Sequence, residues 1–153
     1  MSLDSTLWIE IRARPSEVQL HLLNTGVFAR LDNAGTLKRV AADGCIVTIF
    51  PDAGKHDGPR EAGIDANMRL FFACTSSDRS NAWTLATIRA VISILRGVPG
   101  DALLLYSSDS PALLRRNSQL ILDKRCGIWQ PNVEPQVLPL ISLRYVWGEI
   151  PVS

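Results

Sequence analysis

The stretch NAWTLATIRAVISILRGVPGDALLLY, residues 81–106, decides the fold class. Leu85, Ile88, Ile92 and Leu95 recur at three- and four-residue spacing, and Ala82, Ala86, Ala90, Val91 and Ile94 widen the apolar stripe. That pattern predicts a helix from Asn81 to Arg96. Arg96 suits the negative end of the helix dipole, and Gly97, Pro99 and Gly100 stop the helix. A helix this apolar has to lie across a sheet. Asp101 to Tyr106 supplies a strand for it, because Ala102, Leu103, Leu104 and Leu105 are apolar without alternation, as in a strand buried on both faces.

Downstream, Ser107 to Ser110 reads as a turn. Pro111–Arg116 and Gln119–Leu122 read as a hairpin joined at Asn117-Ser118. Gly127, Pro131, Pro135 and Pro139 break the tail, with one more strand expected within Leu140–Trp147.

Upstream, Leu7, Ile9 and Ile11 alternate with Trp8, Glu10 and Arg12, the period of a strand with one buried face. Pro15 is expected to end it. Ser16 and Gln19 form a capping-box pattern opening a short helix, with Val18, Leu22 and Leu23 near one face. Val27–Leu31, Leu37–Val40, Cys45–Phe50 and Met68–Cys74 read as strands. Asp32-Asn33-Ala34-Gly35 and Asp43-Gly44 are the turn signals. Short strands joined by tight turns imply an antiparallel meander. Pro51 to Asp65 is breaker-rich and polar, and is expected to be a surface loop. The expected architecture is α+β: a mostly antiparallel sheet packed by one long apolar helix and one short N-terminal helix. Residues 1–153 read as one domain.

Composition narrows the functions. A net charge of +1 removes the usual electrostatic case for nucleic acid. No apolar run approaches the roughly 20 residues of a membrane-spanning helix, and Met1–Arg14 lacks the pattern of an export signal, so a cytoplasmic protein is expected. Cys45, Cys74 and Cys126 form no C-x-x-C pair and cannot all pair within the chain, which fits a reducing compartment.

No complete catalytic constellation emerges. His21 reads as a surface or half-buried residue of the short N-terminal helix. His56 lies among Asp52, Asp57 and Glu61, but at no recognised metal spacing, so no metal is expected. The cluster Ser107-Ser108-Asp109-Ser110 is what a turn asks for, and there is no G-x-S-x-G elbow. Neither nucleotide-binding glycine motif occurs, so no cofactor is expected. Arg115, Arg116, Lys124 and Arg125 cluster beside Trp129, as on a solvated hairpin edge. Trp83 reads as core, and Trp129 as either a structural plug or an exposed anchor.

The second half carries a resemblance. Gly100-Asp101-Ala102-Leu103-Leu104-Leu105-Tyr106, then Leu113-Leu114-Arg115-Arg116, then Leu120-Ile121-Leu122-Asp123, then Gly127-Ile128-Trp129 resembles the swarming-inhibition-toxin immunity family. Members have a G-D-A-hydrophobic-L-L strand, a short hairpin carrying Arg, and a Gly-x-Trp. The chain departs from the family where Asn often stands at Asp123 and where a Phe-Asn-Gly turn often replaces Tyr106-Ser107-Ser108. The resemblance implies a bacterial protein that binds a cognate antibacterial toxin and blocks it stoichiometrically, with no catalytic residues. The expected toxin-contact residues are Asp52, Lys55, His56, Asp57, Arg60 and Glu61 in the polar loop, with Arg115, Arg116 and Trp129 on the charged edge. A small hydrolase or transferase whose Asp and Ser groups meet only in the fold, or an adaptor subunit, are the competing readings.

Overall fold

In the computed structural model the described residues are 4–42, 44–54, 56–75, 82–106, 110–132 and 135–151. Nine strands form one sheet: β1 (Asp4–Ile9), β2 (Ala29–Ala34), β3 (Leu37–Ala42), β4 (Cys45–Phe50), β5 (Met68–Cys74), β6 (Ala102–Tyr106), β7 (Ser110–Arg116), β8 (Gln119–Asp123) and β9 (Val146–Gly148). Their order is β2-β3-β4-β5-β1-β6-β7-β8-β9. Every pairing is antiparallel except β8 with β9, which is parallel. The fold is α+β, a large mostly antiparallel sheet with few helices.

The meander is where the turn residues put it. Gly44 between β3 and β4 takes a φ of +76°, which only glycine adopts without strain. Asn117 and Ser118 sit at φ +53° and +65°, the paired left-handed residues of a tight hairpin turn between β7 and β8. The first turn differs: β2 continues to Ala34 through a register irregularity, and Gly35-Thr36 makes the turn. The strand expected in the tail is only Val146–Gly148, and it pairs in parallel because the chain returns from the far side of two 3₁₀ turns, Gly127–Trp129 and Leu138–Leu140.

Helix α1 spans Pro15–Leu23, α2 is the single turn Gly58–Glu61, and α3 spans Ala82–Gly97. The capping box at Ser16 does not form. Pro15 occupies the first helical turn instead, its fixed φ serving as a start signal, and the cap position falls to Arg14 without a side-chain bond. Gln19 then turns inward: its amide donates to Arg39 O at 3.0 Å and accepts from Arg30 at 3.1 Å, joining α1 to the meander. Residues 107–109 of the expected Ser107–Ser110 turn lie outside the described residues, as does Asn81 at the expected helix start.

Two cores result, one on each face of the sheet. The larger holds Val18 and Leu22 of α1, Ile88, Val91 and Leu95 of α3, and the inward residues of β1 and β3–β8. The smaller gathers Trp8, Leu103, Leu105 and Leu114 from the opposite face with Ala62, Ile64 and Ile150. This second core explains why Trp8, expected on a solvated face, is 4% exposed. The polar segment after Pro51 folds back over it.

Candidate partner-binding surface

The segment 51–67 reads as a loop by its breakers, yet it is pinned at several points. Ala53 O accepts from Trp8 Nε1 at 3.0 Å. The Asp52 carboxylate takes the Gly54 amide at 2.9 Å, closing a local turn. His56 Nδ1 accepts from Gly58 N at 2.9 Å, and its ring lies against Trp8 with centroids 4.8 Å apart. Further along, Asn67 clasps the chain just past β1 by accepting from Ile11 N and donating to Ile11 O, at 2.9 and 2.7 Å. Ala62 and Ile64 carry the anchoring apolar surface, at 1% and 4% exposure. The charged residues are what remains outside: Asp52, His56, Asp57, Arg60 and Glu61 are all exposed on a segment held at both ends. Lys55, expected with them, lies outside the described residues.

The charged edge divides in two. Arg116 is exposed and joins the loop: its guanidinium lies over Gly63, where a Cβ would stand 2.6 Å from Nη1. Gly63 also has a φ of +80°, a backbone conformation that favours glycine. The loop and the hairpin therefore meet, as one rim of mixed charge.

Arg115 and Trp129 do not belong to that rim. Arg115 donates to Leu95 O, Val98 O and Gly100 O at 2.5, 2.6 and 2.6 Å. These are the carbonyls left over where α3 ends, and a guanidinium fork suits them in both geometry and charge. Burial pulls the Arg115 pKa below the ordinary arginine value, and Asp101 opposes that pull. Trp129 is wholly buried, with Nε1 donating to Ala112 O at 2.8 Å. Its Gly-flanked position is that of a plug, and its ring offers nothing to a partner.

Sequence reasoning missed Asp123, a wholly buried carboxylate. It accepts from Arg125 N (2.8 Å), Arg125 Nε and Nη2 (3.0 and 2.8 Å) and Ile150 N (2.9 Å). Burial raises its pKa, but the Arg125 guanidinium and the two backbone amides outweigh that, and the net shift is downward. The chain's end is thereby tied to β8. An Asp at a strand end looks like a turn residue, and nothing in its spacing signals a clasp.

Chemistry is muted elsewhere. Burial pushes the Cys45 thiol up to about 12 and the Cys126 thiol to about 11, so neither is a ready nucleophile. Among the described residues no three His, Cys, Asp or Glu side chains gather where they could hold a metal ion. No helix among them is long and apolar enough to cross a membrane.

Compared with known families, residues 7–133 match the model described as SitI3-like. The chain belongs to the SitI3-like family. This is the immunity family that the second half of the sequence resembles, and the match runs through the N-terminal half as well, from β1 onward. No curated protein and no solved structure matches this SitI3-like chain.

Proposed function

We propose that the chain is an immunity-type protein that binds a cognate antibacterial toxin and neutralises it by one-to-one contact. The observation that carries this reading is the SitI3-like match over residues 7–133. The geometry supports it: a two-sided core holds a rim of opposite charges, drawn from two separate chain segments, in one fixed arrangement. Pre-ordered charges on a rigid support lose little freedom on binding, which favours tight and selective association. The proposed contact set is Asp52, Lys55, His56, Asp57, Arg60, Glu61 and Arg116. Arg115 and Trp129 hold the support in shape. A family that acts by occupying a toxin needs no catalytic group of its own, and we assign none. The site of action is the cytoplasm, where thiols such as the buried Cys45 and Cys126 stay reduced.

The test is affinity purification of the tagged chain from its native host, with mass spectrometry of what is retained. One toxin at near-equal stoichiometry is the expected result. The double variant Asp57→Ala/Glu61→Ala should retain its melting temperature and lose affinity for that toxin. Recovery of no specific partner while toxins are being expressed contradicts the reading.

A further inference from the structure

Among the described residues, part of the sheet's second face lies outside both cores. On the sheet the smaller core covers Trp8, Leu103, Leu105 and Leu114, with Ile121 packed against it. Beyond it, Leu31, Ile46, Phe50 and Phe71 are half-exposed and belong to neither core. Pairing sets Leu31 opposite Arg39, Arg39 opposite Thr48, Thr48 opposite Phe71, and Phe71 opposite Thr6. Paired residues point to the same side, so these form one row across β2, β3, β4, β5 and β1. In the adjoining row Phe50 stands opposite Arg69.

Arg69 is the unusual member. Its guanidinium carbon lies 4.2 Å from the centre of the Phe50 ring. It also packs on Gly54, where a Cβ would come within 2.9 Å of it. The side chain is thus held by stacking on one side and the 51–54 turn on the other. It gains no acceptor in return: Nε is buried without a hydrogen-bond partner, and Arg69 enters neither ion pair of the described residues. An ordered guanidinium with unused donors is complementary to a carboxylate.

The rest of the face agrees in sign. Its charged strand residues are Arg39 and Arg69 against Asp4, a net positive set whose complement is acidic. A second copy docked through this face about a two-fold axis would bring the same cations together, which disfavours self-pairing. Because Arg69 touches the turn that begins the exposed charged segment, the open face and that rim are continuous.

We propose that this open part of the sheet, with Phe71 at its centre and Arg69 as its anchor, seats an acidic protein surface, Arg69 receiving a carboxylate of the partner. The inference rests on the toxin-binding reading and adds to it the chemistry of the partner's contact: a carboxylate flanked by apolar side chains.

The test is calorimetric titration of the full chain with the toxin recovered by the affinity purification above, purified separately. Arg69→Ala should weaken binding about thirtyfold, as for an interface anchor. Arg69→Lys should restore only part of it, since an ammonium lacks the planar fork. Thr48→Glu, which sets a carboxylate beside Phe71 without entering either core, should also weaken binding. Higher ionic strength should weaken the wild type more than Arg69→Ala. Melting temperatures establish that each variant is folded, and should Arg69→Ala fail to fold, Thr48→Glu decides. Wild-type affinity in the folded variants overturns the inference and leaves toxin binding standing. No binding by the wild type overturns both. A wild-type dimer that Thr48→Glu dissociates assigns the face to a second copy, which also overturns it.

Discussion

Truncating Arg115 to alanine removes three hydrogen bonds from a charged donor to the carbonyls of Leu95, Val98 and Gly100. A hydrogen bond involving a charged group contributes about 1.5–3 kcal/mol net, and a cation at a helix C-terminus adds up to about 2 kcal/mol in half-buried settings. The contributions do not add fully. An open cleft of about 570 Å³, lined by Gly97, Val98, Pro99, Gly100 and Arg115 itself, lets water reach the freed carbonyls. A loss of about 3 kcal/mol is expected. At this chain length each kcal/mol moves the melting temperature by roughly 2–4 °C, so Arg115→Ala should melt about 6–12 °C lower. Arg115→Lys should recover part of that, because one ammonium cannot reach three divergent carbonyls. Differential scanning calorimetry supplies the melting temperatures, and titration with the toxin below the transition supplies the affinity. Affinity should be unchanged. A melting temperature within about 2 °C of wild type, or a large loss of affinity in the folded variant, would refute the assignment of Arg115 to the helix end.

Asp123→Ala should cost about 2 kcal/mol, by leaving the buried Ile150 amide without a partner, and should raise hydrogen exchange across residues 146–151 before global unfolding. The same carboxylate sets an acid limb. Its folded pKa is depressed, so its contribution is full above the unfolded value of about 3.9 and is lost as pH falls through the folded value; Asp123→Asn should flatten stability against pH in that range. Gly100→Ala should prevent soluble expression, since φ is +131° and a Cβ would lie 1.8 Å from Glu10 O, a backbone atom that cannot step aside.

Much of the fold was legible because local rules and burial agreed. β4 and β5 fall on Cys45–Phe50 and Met68–Cys74, where β-branched and aromatic residues favour a strand. Helix α3 ends at Gly97, one residue past the periodic stretch, since Pro99 and Gly100 cannot extend it. What failed was decided at a distance. Ser16 carries a capping signal, but Pro15 one residue earlier fixes the helix start. Trp8 alternates like a surface residue, but a segment some 45 positions away closes over it.

The surface divided the same way. The exposure of Asp52, His56, Asp57, Arg60 and Glu61 follows from polar residues among breakers. That this stretch is clamped, and that Arg116 reaches Gly63, follows only from the sheet order. Arg115 and Arg116 are adjacent and alike in sequence. In a strand they point to opposite faces, so one caps α3 and the other meets the loop. Arg69 gave no signal either, because a lone arginine in a strand shows neither its stacking partner nor its missing acceptor.

The central claim, neutralisation of a toxin by one-to-one binding, is tested most directly by growth of a susceptible strain expressing the recovered toxin together with this chain. The account predicts full growth with the wild-type chain, death with the folded Asp57→Ala/Glu61→Ala variant at matched expression, and protection that saturates at equal amounts of the two proteins. Death with the wild-type chain present in excess would contradict it, as would protection at amounts far below that of the toxin, which only turnover could supply.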